Sequence, residues 1–351
     1  MIIKNRYFYI VGMFIFLLLK LQWKYAFKIY SKPEAKKVQR KHIPNIYKED
    51  DKTLVSVVHG GTIYSMLKEG IELLGGREKL DVQGKSVLIK PNIVNRYPYP
   101  ANTNPLVIKH LIKLLQEWGA SKIFVGDTSA IFDLPTKKNA IKSGIWEAIR
   151  DEDIEFIPLE NHGWVEVDTD QGRFLKSIIV SELVYAVDKV INVPTVKTHS
   201  YAHYSMSLKN IVGIIHPRQR PYFIAPGYWD EVVAEFNMAY TPHLNILDAT
   251  KIFTTKGPTE GNTKAPNILI ITGDRIAGDV VGLSVIKTFG GLQRTDNSGV
   301  WEQRQIKRAI ELQLGVTDPS EIKIVSKCID TDESNFHELI QKIHHHVKRS
   351  S

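Results

Sequence analysis

Eight apolar runs of four to seven residues, alternating with helix-patterned segments, predict an α/β fold: a layered, mostly parallel sheet flanked by helices. A second observation agrees. Five of the runs carry Lys, Asn, Asp or His at or just beyond their carboxyl ends, in Lys90-Pro91-Asn92, Gly126-Asp127-Thr128-Ser129, Asn192 to His199, Asp248-Ala249 and Thr272-Gly273-Asp274. Open parallel sheets hold their ligands there.

Taken in order, Leu54 to Val58 reads as a strand and Ile63 to Leu74 as a helix ended by Gly75-Gly76. Ser86 to Ile89 is a short strand, Pro105 to Trp118 a helix ended by Gly119, and Lys122 to Val125 a strand. Lys138 to Ile149 is helical, and Ile154 to Pro158 is strand-like. The polar turn Asp170-Gln171-Gly172 breaks the rhythm and predicts an inserted hairpin near 165–180. Val187 to Val193 is a buried-type strand, followed by strands at Leu244 to Leu247 and Asn267 to Thr272. Helices follow around Asp279 to Thr288 and Trp301 to Leu314, then a last strand at Ile322 to Val325 and a helical tail from Ser334. His344-His345-His346 in that tail reads as solvated rather than as a metal tract.

The net charge of +8 suggests nucleic acid until it is divided by segment. Residues 1–50 hold 11 Lys/Arg against 3 Asp/Glu, and the remainder holds 35 of each. The neutral domain lacks the electrostatic footprint of a nucleic-acid binder. The arm reads as an N-terminal membrane helix: Tyr7 to Leu19 is free of charge, follows Lys4 and Arg6, and is extended by Leu21, Trp23, Tyr25 and Phe27. Lys20, Lys24, Lys28, Lys32 and Lys36 recur every fourth residue, a stripe suited to anionic lipid headgroups. The expected plan is an anchor and basic helix over 1–30, a linker over 31–50, an α/β domain over 51–330 and a tail over 331–351. Cations concentrated after the apolar run favour a single-pass protein with a cytoplasmic domain over an extracytoplasmic one.

The richest stretch is Asn192 to Gly213, where a strand runs into a Pro-punctuated loop carrying Lys197, His199, His203, Lys209 and Asn210. Lys90, Lys197 and Lys209 suit a carboxylate or phosphate, and a desolvated Lys90 or Lys197 could act as base or nucleophile. Asn92, Asn192, Lys209 and Asn210 are the expected substrate contacts, and Lys90, Lys197 and His199 the expected catalytic groups. His199 and His203 are four apart and would share a face if helical. With Asp248 and Asp279 they could ligate a divalent metal, although N-capping is an equal reading for Asp127 and Asp279. A single cysteine, Cys328, is expected to exclude an intrachain disulfide and any cysteine-ligated iron–sulfur cluster or zinc site. No P-loop, nucleophile elbow or dinucleotide fingerprint is present.

Lys90-Pro91-Asn92-Ile93-Val94, Gly126-Asp127-Thr128-Ser129 and the runs from Asn192 to His199 and from Leu208 to Gly213 resemble the domain of unknown function family numbered 362. So do Leu247 to Lys251, Lys256 to Gly261 and the Asp274/Asp279 pair, the whole covering about residues 53–325. Many members of that family carry a ferredoxin-like iron–sulfur module, which one cysteine cannot supply. The layout is also similar to the nickel-dependent lactate racemase group, which uses lysine and histidine around a pincer cofactor. The resemblance and the residues together imply a membrane-anchored enzyme acting on a small anionic molecule with metal assistance. The alternative is a non-catalytic binding or scaffold domain held at the membrane.

Overall fold

The computed structural model describes residues 31–220, 227–291 and 299–348. The expected anchor, residues 1–30, lies outside them. Among the described residues no helix is long and apolar enough to cross a membrane.

The strands in chain order are β1 (Ala35–Val38), β2 (Lys48–Glu49), β3 (Lys52–His59), β4 (Ser86–Pro91), β5 (Lys122–Asp127), β6 (Glu155–Pro158), β7 (Trp164–Asp168) and β8 (Ser177–Ser181). They continue with β9 (Lys189–Val193), β10 (Thr195–His199), β11 (His203–Ser205), β12 (Leu244–Phe253), β13 (Thr263–Lys264), β14 (Ile268–Thr272) and β15 (Ile322–Cys328). The main sheet has the spine β15-β3-β14-β12-β9-β4-β5-β6, whose members are the eight apolar runs of the sequence. Its strands alternate between two apolar cores, as a period of two requires. Val87, Ile89, Ile191 and Ile246 face one core, with the helices Ile63–Glu72 and Pro105–Glu117. Leu88, Val190 and Leu247 face the other, with the helices Arg275–Thr288 and Glu333–Val347.

The sheet is mostly parallel along this spine, and β14 is its exception, antiparallel to both β3 and β12. This corrects one expectation. Thr272-Gly273-Asp274 does not open on the edge that receives the ends of β4, β5 and β9, because β14 runs toward the edge where its neighbours begin. Asp274 there starts the helix Arg275–Thr288, which is one turn longer than its predicted form.

Three further differences have local causes. Residues 31–50, expected as a linker, run along the domain: β1 pairs in parallel with β7, Tyr47 is buried, and Val38 and Ile43 pack on the core. The predicted helix 138–149 divides into Thr136–Lys142 and Ile145–Ile149 at Gly144, whose φ of 83° breaks the helical path. The Asn192 to His199 loop is largely strand, because Pro194 ends β9 and the chain restarts as β10 beside β12 and β11. His199 and His203 are therefore cross-strand partners, not helical neighbours.

The hairpin forms as β7–β8, pairing Trp164 with Ser181 through Asp168 with Ser177. The buried Glu235 holds its connection, accepting backbone N–H groups of Arg173, Phe174 and Leu175 at 2.8–3.0 Å. Arg308 pairs with the same carboxylate at 2.7 Å. The tail helix Glu333–Val347 buries Phe336, Ile340, Ile343 and Val347, and the Trp301 indole donates to Val347 O at 2.7 Å.

Asp274 offers a direct stability test. Its Oδ1 accepts from Ile276 N and Ala277 N at 2.8 and 2.9 Å, and its Oδ2 accepts from Val316 N at 2.9 Å. Asp274→Ala leaves these donors unmet and is expected to cost about 1–3 kcal/mol by urea denaturation. An unchanged midpoint would show that the cap carries no stability.

Candidate active site

Parallel register sets the floor of the site. Lys90 on β4 pairs with Asn192 on β9, and Asn192 pairs with Asn245 on β12, so three polar residues form one row on one face. Asn192 Nδ2 donates to Asn245 Oδ1 at 3.0 Å, Asn210 Nδ2 to Asn192 Oδ1 at 2.8 Å, and Asn92 Nδ2 to Asn210 Oδ1 at 2.9 Å. Lys197 Nζ completes the series by donating to Asn92 Oδ1 at 2.8 Å. All five side chains are buried, and each amide in the series fixes the orientation of the next.

Above this row Lys90 Nζ lies 2.7 Å from Asp127 Oδ1, at the ends of two adjacent strands. Asp127 Oδ2 accepts from Ile93 N at 2.6 Å. The pair has backbone against it: a Cβ on Gly213 would lie 1.9 Å from Asp127 Oδ1 and 2.6 Å from Lys90 Nζ. Only glycine fits there.

A pocket of about 300 Å³ opens over the pair, with Lys90, Asn92, Asp127, Lys209, Asn210 and Arg220 on its wall beside His199, Phe132, Val212 and Trp229. A groove of about 780 Å³ adjoins it and shares His199, Tyr201, Pro258 and Thr259. Arg220 is buried, and its hydrogen bonds go to main-chain oxygens of Ile215, Thr128, Ser129 and Gly213. The Thr128 hydroxyl, also on the wall, is buried without a hydrogen-bond partner among the described residues.

Desolvation dominates the ionisation of this group of residues. It draws Lys209, partly open to the pocket but closely surrounded, down to about 8 and Arg220 to about 10. Lys90 is lowered by burial against the pull of Asp127, and Lys197 falls well below the usual lysine range through burial and the nearby Lys209. His199 likewise lies well below the imidazole norm, so its ring is neutral. Its Nδ1 accepts from Tyr201 N at 3.1 Å and Ala202 N at 3.2 Å, which puts the ring proton on Nε2.

The sequence of a known family spans the residues just described. The profile described as Domain of unknown function (DUF362) matches residues 87–284. The chain belongs to this family. The DUF362 chain is also 27% identical over 234 residues to the thylakoid-associated protein sll1697 of Synechocystis sp., covering 65% of this chain and 71% of that protein. Among solved structures it is similar to the lactate racemase apoprotein of Thermoanaerobacterium thermosaccharolyticum at 10% identity and TM-score 0.37, over 90% and 91% of the two chains. That similarity is too weak to relate one site to the other.

Within the DUF362 chain the expected residues divide. Lys90, Asn92, Lys209, Asn210 and His199 reach the pocket wall, whereas Lys197 and Asn192 lie behind it in the amide series. The expected metal set does not gather. His203 Nδ1 pairs with Asp230 at 2.9 Å, and Asp248 accepts from Tyr99 OH at 3.0 Å and from the Thr250 hydroxyl at 2.8 Å. Asp279 accepts from Ser207 N and Leu208 N at 2.6 and 3.2 Å, capping the turn that presents Lys209 and Asn210. Burial pushes the Asp279 carboxyl up to about 7, and it likewise raises that of Asp248.

Arg220 and Asp230 are absent from the sequence-based site. The basic pair in His216-Pro217-Arg218-Gln219-Arg220 was a signal, but nothing in the spacing says which arginine turns inward.

Gly213→Ala is expected to force Lys90 and Asp127 apart and to lower stability by about 1–3 kcal/mol, the usual range for overpacking. Lys90→Ala leaves a buried carboxylate without its cation and should cost more, about 3–5 kcal/mol. Chemical denaturation of both variants checks the order, which should be Lys90→Ala below Gly213→Ala below wild type.

Proposed function

We propose that this DUF362 chain is an enzyme that takes a small anion, a carboxylate or phosphate, into the pocket over the Lys90–Asp127 pair. The observation that carries the reading is the group of enclosed cations on one pocket wall. Lys90, Lys209 and Arg220 share a wall whose carboxylates are Asp127 and the partly exposed Asp133. Asp127 is engaged by Lys90, Arg220 hydrogen-bonds only to carbonyls, and Asp230 and Glu160 act on Lys209 and Arg220 through their charge alone, so an incoming anion would meet cationic donors that no carboxylate has taken up, in a medium of low dielectric. The unpartnered Thr128 hydroxyl adds a donor on the same wall.

Roles follow from protonation. Lys209, near 8, exchanges its proton close to neutral pH and suits general acid–base work. His199 offers Nε2–H as a donor to an anionic oxygen. Lys197 holds Asn92 rather than substrate, a positioning role. Phe132, Val212 and Trp229 suit an apolar portion of the same molecule. Residues 1–30 would tether the enzyme to a membrane surface, in keeping with the thylakoid-associated relative.

A thermal-shift screen of carboxylates and phosphates tests the reading. A binding anion at a hundred times its Kd raises stability by about 2.7 kcal/mol. The gain should vanish in Arg220→Gln and Lys209→Met, with folding verified by circular dichroism. If no anion stabilises the wild type, the non-catalytic scaffold reading gains. If anions stabilise all three proteins equally, the pocket assignment fails.

The pH dependence carries a sign. Only protonated Lys209 attracts an anion, so affinity should be full below about pH 7 and fall as pH rises through about 8. Calorimetric titration at several pH values should find that fall in the wild type and a flatter profile in Lys209→Met.

A further inference from the structure

Against the expectation that a single cysteine leaves no cysteine-ligated zinc site, we infer that His59, Cys328 and Asp330 form a divalent metal site of zinc type, separate from the anion pocket. The fold makes the cluster. β15 lies parallel to β3, and their register sets Cys328 directly beside His59. The chain stays paired for one more residue, Ile329 N donating to His59 O at 2.9 Å, and then brings Asp330 back over the strand ends.

The distances are those that one tetrahedral ion needs. Cys328 Sγ lies 3.7 Å from His59 Nδ1 and 3.2 Å from Asp330 Oδ1, and His59 Nδ1 lies 3.5 Å from Asp330 Oδ1. Zinc bond lengths of about 2.3 Å to sulfur and about 2.0–2.1 Å to nitrogen or oxygen, at tetrahedral angles, put donor atoms about 3.3–3.6 Å apart. The three donors meet that spacing with small adjustments. Among the described residues no other group of three His, Cys, Asp or Glu donors comes so close together.

The surroundings favour the geometry. Gly60, at φ 78°, leaves room for the carboxylate: a Cβ there would sit 2.1 Å from Asp330 Oδ2. Phe336 stacks on the His59 ring at 5.4 Å between centroids and limits its rotation. Sulfur and imidazole select zinc or cobalt over magnesium or calcium. Asp330 is the exposed member, which leaves the fourth position to water. On binding, the Cys328 thiol, held up near 11 by burial and the adjacent Asp330, gives its proton to solvent as the metal–sulfur bond forms. No oxidation state changes.

Cobalt(II) titration of the chelator-treated full-length protein tests this, because a thiolate–cobalt charge-transfer band reports sulfur ligation directly. The band is expected in the wild type and absent in Cys328→Ser. Zinc affinity by calorimetry should fall more than about tenfold in His59→Gln and Asp330→Asn, at least the loss that removing a ligand's outer partner causes. The tail imidazoles His344, His345 and His346 are a separate sink for metal. They begin eight residues along the helix from Phe336, so a His345→Ala/His346→Ala variant should keep the band. Lack of a thiolate band in the wild type would overturn the assignment. So would a band that survives Cys328→Ser, or zinc binding lost only when the tail is changed.

Discussion

The contact on which the candidate site depends is the ion pair between Lys90 and Asp127, enclosed at the ends of two adjacent parallel strands. A charge in such a place is tolerated only with its partner and with its remaining hydrogen bonds met. Lys90 donates to Pro91 O at 2.7 Å, and Asp127 takes Ile93 N, so each end of the pair also fixes the chain leaving its strand. Those two exits carry Asn92 and Thr128 to the pocket wall. Gly213 then packs its bare backbone on the pair and brings the Lys209–Asn210 turn with it. Site geometry and strand pairing are thus one arrangement rather than two.

Much of this was legible because strands buried on both faces must be apolar throughout, and such runs stand out between polar helices. Each spine strand of the main sheet fell on a run identified from composition. The direction of β14 was not legible, since an antiparallel buried strand has the same composition as a parallel one. The strand β10 was hidden for a different reason. Thr195, Lys197 and Thr198 are polar, and the burial of Lys197 depends on partners, Asn92 and Ala101 O, that lie about a hundred residues away in sequence.

The site itself divided along the same line. Residue types drew attention to Lys90, Lys209 and Asn210, which share one pocket wall because the end of β4 and the turn after β11 meet at one edge. Types alone could not tell a wall residue from a supporting one. Asn192 and Lys197 look like ligand contacts, yet they hold other side chains in place. Asp248 and Asp279 look like metal ligands, and both spend their oxygens on local hydroxyls and backbone N–H groups. Carboxylates buried among donors are already satisfied, and a metal would have to displace those bonds first.

The reversal of β14 also separates two kinds of evolutionary freedom. The helix Arg275–Thr288 begins at the edge where the parallel strands start, and its cap is tied to Val316 ahead of β15. Substitutions at the Asp274 cap act on how firmly the layers are clamped, whereas one turn further along the same helix Asp279 holds the turn that presents Lys209 and Asn210. The opposite edge has little such slack, since its backbone, cations and amides constrain one another. A lineage could therefore tune the tolerance of this domain to heat at the Asp274 cap more freely than at Asp279, where the same helix meets the turn behind the pocket wall.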